Sequence, residues 1–343
     1  MTTHTVVLIP GDGIGPEVSD AVLSILRAAE APLEFVVRQA GLAALEQGAT
    51  EVLPEETLAA VREHHVALKG PCTTPVGRGF SSVNVALRRE LNLYAALRPV
   101  QSMEGIPTRF EDVDVVVVRE NTEGLYSGIE NLITDGVVVS MKVATRAACE
   151  RIARWTFRYA TQNRRKKVSV FHKANIMKLS DGMLLDAARQ VHTQDYPNID
   201  YEEVIIDAAH MRIVQDHSQF DVILCENLYG DIVSDLCAGL VGGLGVAPGA
   251  NIGDQDAVFE AVHGSAPDIA GKNLANPTSL LMSSAMMLQH LAETRQDPRC
   301  LEAAARVRRA YTRAFAEGQK TRDLDGELGT REFAQAVIAR LAD

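Results

Sequence analysis

Positive charge is scarce in this sequence. Its 343 residues include 34 Lys and Arg but 45 Asp and Glu, which gives a formal net charge of −11. Nucleic-acid-binding proteins need a basic face, and anionic membrane surfaces attract basic segments. The deficit therefore argues against both kinds of partner, although a locally basic site for an anionic small molecule is compatible with it.

Long apolar runs and clustered cysteines are also missing. No stretch reaches the ~20 apolar residues that a membrane-spanning helix needs, and the first five residues lack the pattern of a signal peptide. The five cysteines are scattered, and Cys225 and Cys237 lack a metal-ligand spacing. We therefore expect free thiols, no zinc site and a cytoplasmic location.

The length and the order of patterns indicate an α/β protein. A chain of 343 residues is too long for one compact core, so two domains are expected. Between Val168 and Gly243, apolar strand-like runs alternate with helical stretches, which is typical of α/β folds. Ligands bind such sheets beyond the carboxyl ends of the strands. Polar residues directly after strand-like runs are therefore the first site candidates.

Two aspartates stand at such a position. Asp231 and Asp235 are four residues apart in a helical stretch that follows the apolar run Asp221–Cys225. On a helix both carboxylates point to the same side, and a hard divalent cation between them would relieve their repulsion. Solvated surface pairs share this spacing. A third carboxylate, Asp207, ends the apolar run Val204–Ile206, and three carboxylates make a better candidate for Mg²⁺ or Mn²⁺.

A glycine-rich turn, Gly11–Pro16, joins a short apolar strand to a helical pattern. This order is also found in dinucleotide loops. Here, however, the spacing is G-x-G-x-G rather than G-x-G-x-x-G, and the next predicted strand, Leu33–Ala40, does not end in an acidic residue. A tight turn that lets another part of the chain or a ligand come close explains the glycines without a Rossmann site.

Arginines lie at or near the ends of several predicted elements. Arg88 lies in a helix after the long loop Gly70–Ser82, and loops of this length inside a compact domain are usually functional. Arg98 lies in a strand, and Arg119 directly follows the apolar strand Val113–Val118. Three converging guanidinium groups would suit a polycarboxylate, whereas each one alone is compatible with a surface salt bridge.

Two further residues have acid–base potential. Lys173 follows the strand Val168–Phe171, and burial there could lower its pKa enough for a general base. Tyr126 lies among small polar residues in Glu120–Glu130, which we interpret as a loop, and the alternating run Val137–Val143 predicts a strand of an arm.

Together these stretches resemble the β-decarboxylating dehydrogenases, a family that includes isocitrate, 3-isopropylmalate, homoisocitrate and tartrate dehydrogenases. The resemblance runs from Ile9 to at least Pro277 and is carried, in family order, by Gly11-Asp-Gly-Ile-Gly-Pro-Glu17, Glu120-Asn-Thr-Glu123, His172-Lys-Ala-Asn175, Asn227-Leu-Tyr-Gly-Asp231-Ile-Val-Ser-Asp235 and His263-Gly-Ser-Ala-Pro-Asp268.

The resemblance implies a two-domain α/β fold distinct from the Rossmann fold. Residues 1–98 and 246–343 would form a discontinuous large domain that binds the cofactor. Residues 99–245 would form a small domain for substrate, metal and dimerisation, with a β arm near residues 124–145. A homodimer or higher homo-oligomer would share its active sites between subunits.

The resemblance also assigns the chemistry. Asp231 and Asp235 would hold Mg²⁺ or Mn²⁺ together with Asp207 of a neighbouring subunit. Lys173, also from the neighbour, would help to remove the proton of the substrate's hydroxyl group, and Tyr126 would return a proton to carbon 3.

Substrate choice in the family depends on the segment before Arg88. Ser82 and Asn84 resemble isocitrate dehydrogenases here, because both can donate hydrogen bonds to a third carboxylate, whereas isopropylmalate enzymes present an apolar surface. The complete set that the resemblance assigns to substrate binding is Ser82, Asn84, Arg88, Arg98, Arg119 and Asn175.

Cofactor choice depends on Asp268 and Ile269, where NADP-linked isocitrate enzymes have Lys and Tyr. A carboxylate can accept hydrogen bonds from both ribose hydroxyls and repels a 2′-phosphate, so the resemblance implies NAD. The residues that it assigns to the cofactor are Ile14, Lys69, Thr74, His263, Gly264, Asp268, Ile269 and Asn276.

The resulting hypothesis is a NAD-dependent isocitrate dehydrogenase of the tricarboxylic acid cycle. Two alternatives stay open. The first is a homoisocitrate dehydrogenase, whose substrate is one methylene longer, or another β-decarboxylating dehydrogenase of a 2-hydroxy acid. A non-catalytic regulatory subunit of a hetero-oligomer would also resemble the family, although such subunits lose active-site residues that this sequence retains.

Overall fold

The computed structural model describes residues 3–73 and 82–342, in two compact units. Unit 1 consists of Met1–Asn92, Ser102–Arg109 and Val241–Asp343, and unit 2 of Leu93–Gln101 and Phe110–Leu240. The domain boundaries and domain roles expected from the sequence stay predictions.

The described residues form twelve strands and eleven α-helices. The strands are β1 His4–Ile9, β2 Leu33–Val37, β3 Val66–Lys69, β4 Ala95–Gln101, β5 Asp114–Glu120, β6 Gly124–Thr134, β7 Val137–Val143, β8 Lys167–His172, β9 Asp200–Ile205, β10 Val222–Cys225, β11 Pro248–Ile252 and β12 Ala257–Ala261. The helices are α1 Gly15–Ala28, α2 Leu42–Glu46, α3 Glu55–His64, α4 Val83–Glu90, α5 Arg146–Gln162, α6 Ser180–Asp195, α7 Ile206–Gln215, α8 Asn227–Leu240, α9 Thr278–Arg295, α10 Pro298–Ala316 and α11 Thr330–Ile338.

In unit 1 the strands follow the order β2-β1-β3-β12-β11. The first four are parallel, and β11 pairs antiparallel with β12. Helix α9 packs on β11 and β12, and α1 packs on α9 and α11. Pro16 stands in the first turn of α1, where a missing N–H costs nothing. Val18, Val22 and Ile25 are fully buried on the inner face of this helix.

In unit 2 the order is β4-β5-β10-β8-β9, with β4 antiparallel to β5 and the other neighbours parallel. Val115, Val116, Val117 and Val118 of β5 are all buried, as expected of a strand covered on both faces. Helices α5 and α8 both pack on β5 and β10. The segments that follow the carboxyl ends of β5, β8 and β10 contain the predicted site residues Tyr126, Lys173 and Asp231, respectively.

Some expectations about secondary structure are wrong. Tyr126 lies in strand β6 and not in a loop, because Gly124–Thr134 pairs antiparallel with β7 in a two-stranded hairpin. Strand β11 was not among the strands expected from the sequence. Small residues pack there beneath α9, and Gly249 donates to Ser283 Oγ over 3.0 Å. Tertiary pairing overrides local propensity in both places.

Candidate active site

The first turns of α8 bring Asp231 and Asp235 to one side of unit 2. The helix begins at Asn227, two residues after the carboxyl end of β10. Desolvation and the charge of Asp231 raise the pKa of Asp235, while Arg98 and Arg119 act in the opposite direction. The two carboxylates therefore repel each other, and two guanidinium groups partly offset that repulsion.

Arg119 is almost completely buried between the end of β5 and the start of α8. Its Nε and Nη2 donate to Asn227 Oδ1 over 2.9 and 2.7 Å, and its Nη1 donates to Asp231. Gly230 permits this approach, because a Cβ there would lie 2.5 Å from the Cβ of Arg119. Asn227 is a partner that the sequence analysis did not single out, although it opens the motif that contains both aspartates.

Tyr126 completes this cluster. Its hydroxyl donates to Asp231, and its ring centre lies 4.9 Å from the guanidinium carbon of Arg119. Burial, followed by the hydrogen bond to Asp231, raises the pKa of Tyr126. The phenol therefore keeps its proton at neutral pH and can act as a proton donor.

Lys173 and Asp207 form a second cluster in unit 2. The Nζ of Lys173 lies 2.5 Å from Oδ1 of Asp207, which is in the first turn of α7 and well exposed. Hydrogen bonding to Lys173 lowers the pKa of Asp207. Asn175 is exposed in the turn that follows Lys173. Among the described residues of one chain, Lys173 and Asp207 bond to each other and not to Asp231 or Asp235.

Arg88 and Asn84 lie on α4 in unit 1, with Ser82 at the N-terminal boundary of the helix. The Nη2 of Arg88 lies 3.4 Å from Glu260 Oε1. Its Nε and the Oδ1 of Asn84 are buried, yet neither finds a hydrogen-bond partner among residues 3–73 and 82–342. A buried polar atom without a hydrogen bond costs free energy. A partner for these two atoms therefore lies outside the described residues, and a bound ligand could be that partner.

Glu260 is a buried acid that the sequence analysis missed. Its Oε2 lies 2.9 Å from Lys69 Nζ, and its Oε1 accepts from Asn251 over 2.8 Å. Burial alone would lower the pKa of Lys69, but the charges of Glu260 and Cys72 outweigh it and raise the pKa. A glutamate in the otherwise apolar run Ala257–Val262 was the available signal.

The glycine-rich turn Gly11–Pro16 contacts two other segments of unit 1, one at the start of α2 and one after β3. Asp12 accepts from the backbone N–H groups of Leu42, Ala43 and Thr73 over 3.1, 2.8 and 2.7 Å. A Cβ at Gly11 would lie 2.1 Å from the carbonyl oxygen of Pro71. The prediction of a tight turn that admits another chain segment is confirmed.

The remaining predicted cofactor residues lie near the start of α1 and after β12. Ile14 is buried, and its N–H donates to Ser265 O over 2.9 Å. Gly264, Asp268 and Ile269 lie in the turn that contains the 3₁₀ segment Pro267–Ile269, with Asp268 exposed. Thr74 lies outside the described residues.

His263 and Asn276 have defined hydrogen bonds in this region. His263 Nδ1 lies 2.9 Å from Gly264 O, so Nδ1 carries the proton and Nε2 is an acceptor. That Nε2 is buried and has no partner in the described part of the chain. Burial lowers the pKa of His263, which keeps the ring neutral. Asn276 donates to Asp323 over 2.9 Å.

Comparison with known proteins identifies the family. A family model described as isocitrate/isopropylmalate dehydrogenase matches residues 5–337. A mitochondrial NAD isocitrate dehydrogenase catalytic subunit 5 from Arabidopsis thaliana is 48% identical over 342 residues, 99% of this chain and 89% of the relative. A regulatory subunit of mitochondrial NAD isocitrate dehydrogenase from Dictyostelium discoideum is 47% identical over 98% of this chain and 92% of the relative.

The fold agrees with that assignment. The crystal structure of isocitrate dehydrogenase from Methylococcus capsulatus superposes with a TM-score of 0.93 at 47% identity, and the match covers 99% of this chain and 100% of that chain. The expected isocitrate/isopropylmalate dehydrogenase fold is confirmed.

The cytoplasmic location expected from the sequence is wrong on this comparison, because both of these curated relatives are named as mitochondrial. The absence of a signal pattern and the scattered thiols could not distinguish one reducing compartment from another. Among the described residues, no helix is long and apolar enough to cross a membrane. The chain belongs to the isocitrate/isopropylmalate dehydrogenase family.

Proposed function

We propose that this chain is a catalytic NAD-dependent isocitrate dehydrogenase, which oxidises isocitrate and decarboxylates the product to 2-oxoglutarate. The observation that carries the proposal is the cluster of Tyr126, Arg119, Asp231 and Asp235 at the start of α8. It combines a protonated phenol, a buried guanidinium group and two facing carboxylates. The names of the relatives supply the substrate and NAD.

The protein groups divide the reaction between them. Lys173 of a neighbouring copy takes the proton of the substrate's hydroxyl group as carbon 2 is oxidised. Bound NAD would supply the oxidant, because it would accept the hydride that carbon 2 loses. The bond to the carboxylate on carbon 3 then breaks, CO₂ departs and its electron pair stays on the substrate. Tyr126 donates a proton to carbon 3. Arg98 and Arg119 orient substrate carboxylates.

The metal prediction fits the residues present. Asp231 and Asp235 offer oxygen ligands, which Mg²⁺ and Mn²⁺ prefer. Burial and then the charge of Asp231 raise the pKa of Asp235, and a bound cation would stabilise both charged carboxylates. In the described ranges, the one group of three possible His, Cys, Asp or Glu ligands is His4, Asp297 and Cys300. The described residues thus bring no third His, Cys, Asp or Glu close to the α8 pair, and the proposal takes the third carboxylate from Asp207 of a second chain. A bound cation supplies Lewis-acid stabilisation of negative charge on the substrate.

The residues near His263 fit NAD. The neutral ring offers a buried acceptor at Nε2, which suits the amino group of adenine. Asp268 is exposed and can accept hydrogen bonds from ribose hydroxyls, and its charge disfavours a 2′-phosphate.

A second copy of this chain is the proposed partner. Large apolar side chains are exposed in unit 2, on the β6–β7 hairpin and beside Lys173, and such patches mark interaction sites. The hairpin exposes Leu132, Ile133 and Val138 by 71, 64 and 60%, and Leu179 is 88% exposed. A mass of one chain at micromolar concentration in light scattering would contradict the homo-oligomer.

A direct assay of the purified chain tests the function. NAD and NADP reduction is followed with isocitrate, homoisocitrate, isopropylmalate, malate and tartrate, in Mn²⁺ or in EDTA. We expect turnover with isocitrate, NAD and Mn²⁺ that EDTA abolishes. Faster turnover of homoisocitrate would instead assign the chain as a homoisocitrate dehydrogenase of the same family. An inactive chain that stimulates a separate catalytic subunit would instead establish the regulatory role that the Dictyostelium relative's name describes.

A further inference from the structure

The backbone of Lys173 is held by a buried aspartate that has no role in the reaction described above. Asp181 lies in the first turn of α6 with a side chain only 1% exposed. Its Oδ2 accepts from the N–H of Lys173 over 2.7 Å. Its Oδ1 accepts from the Nζ of Lys142, on β7, over 2.6 Å.

The rest of the turn is also restrained. The N–H of Ala174 donates to His172 Nδ1 over 3.0 Å, and the carbonyl oxygen of Lys173 accepts from Ile176 and Met177 over 2.9 and 2.8 Å. Each peptide unit around Lys173 therefore has a defined partner. The bond to Asp181 is the one made to a charged side chain, and charge-assisted hydrogen bonds are the stronger class.

Asp181 is itself held in place. Lys142 Nζ lies 3.5 Å from Glu226, at the end of β10, and 4.6 Å from the ring centre of Tyr229 on α8. These contacts tie the base of the hairpin and the start of α8 to the turn that carries Lys173. All of these residues lie within unit 2.

We propose that Asp181 is a positioning residue, which aims the ammonium group of Lys173 by holding its peptide N–H. The inference rests on the proposed function of Lys173. A loosened turn would let Nζ move away from Asp207 Oδ1, which is 2.5 Å away. Misplacement of an acid–base group by about 1 Å can cost up to about 100-fold in rate.

Two double variants isolate the hydrogen bond. Asp181→Ala/Lys142→Met removes the acceptor together with its lysine partner, whereas Asp181→Asn/Lys142→Met restores an amide oxygen for the N–H of Lys173. Both variants lose the 3.5 Å contact between Lys142 and Glu226, so the difference between them reports on the hydrogen bond to Lys173. We expect kcat with isocitrate to fall by about tenfold in the alanine variant, with KM changed by less than about twofold, and to recover in the asparagine variant.

The opposite end of β8 offers a matched control. Asp221 accepts from the N–H groups of Lys166 and Lys167 over 2.6 and 3.2 Å and pairs with Arg165 over 2.9 Å. Asp221→Ala/Arg165→Met should lower the Tm while kcat stays within about twofold of wild type.

The outcomes separate the two hypotheses. An inactive wild-type chain, or a fully active Lys173→Met variant, would overturn the proposed function and this inference with it. An active wild type, an inactive Lys173→Met and a fully active Asp181→Ala/Lys142→Met would overturn the positioning role alone. Equal losses of kcat in both Asp181 variants and in the Asp221 control would also overturn it, since the effect would then be structural.

Discussion

Arg119 and Asp231 form an ion pair whose two ends differ sharply in exposure. The guanidinium side chain is 2% exposed, whereas the carboxylate side chain is 42% exposed. The buried partner holds the accessible one in place, so Asp231 is oriented before any ligand arrives. Preorganised charge of this kind lowers the cost of binding and of catalysis.

Asp235→Asn should weaken Mn²⁺ binding. The substitution keeps the shape but removes one of two facing anionic ligands, so we expect affinity to fall by more than about tenfold. Because it also removes a partly buried charge and its repulsion from Asp231, which together raise the pKa of Asp235, the Tm should not decrease. Titration of Mn²⁺ followed by electron paramagnetic resonance measures the affinity, and Asp186→Asn on the exposed side of α6 is the control. Unchanged Mn²⁺ affinity would contradict the metal site.

Tyr126→Phe should reduce turnover without unfolding the protein. The ring can still lie beside Arg119, but the proton donor is lost, so kcat should fall by about 100-fold. Steady-state assays with isocitrate and a Tm measurement check both parts. Tyr201→Phe, which removes a hydroxyl that donates to Glu203, is a matched control and should stay active. A Tyr126→Phe variant with full kcat would exclude the proton-donor role.

Ser82→Asp should abolish isocitrate binding. Ser82 precedes α4, which carries Arg88, and a carboxylate there would face the third carboxylate of the substrate. Titration calorimetry measures the affinity, with Ser82→Asn as the uncharged control. Retained affinity in the aspartate variant would mean that Ser82 does not contact the substrate.

Glu260→Leu should destabilise unit 1 severely, because it leaves Lys69 and Arg88 buried without their shared counter-charge. Breaking a buried ion pair from one side costs about 3–5 kcal/mol. Lys69→Met should cost less, since Glu260 keeps Arg88 and Asn251. Urea unfolding measures both variants. Equal losses in the two would show that Glu260 does not organise the cluster.

His290 should make stability depend on pH. Burial, with a contribution from Arg295, lowers the pKa of His290 to about 4. The unfolded chain, with a histidine pKa of about 6.5, then binds the proton more readily. This contribution is therefore fully present above pH about 6.5 and is lost as the pH falls towards 4, by up to about 3 kcal/mol.

The test is His290→Gln, which should flatten the dependence of unfolding free energy on pH in that window. His64→Gln, in the last turn of α3, controls for the loss of an imidazole. The same slope in wild type and His290→Gln would contradict the prediction.

The sequence predicted those parts of the fold that depend on short-range patterns. The apolar run that became β5 and the helix that carries Asp231 and Asp235 were both expected, because burial on two faces and helical spacing are visible in one stretch. Strands β6 and β11 were not, since their pairing depends on partners elsewhere in the chain.

The candidate site shows the same limit. Motif residues such as Tyr126 could be named from the resemblance, but the geometry that joins it to Asp231 across 105 positions could not. Glu260 and Asp181 were missed because each pairs with a lysine that is distant in the sequence, Lys69 and Lys142 respectively. A local sequence pattern does not indicate such a pair.

The contact between Lys173 and Asp207 has a genetic consequence. In an assembly where each copy lends this pair to the other, two defective alleles can compensate for each other. A copy that lacks Lys173 and a copy that lacks Asp235 would, once mixed, rebuild one intact centre in every mixed dimer. The effect of a harmful allele would accordingly depend on the second allele present as well as on the residue that is lost.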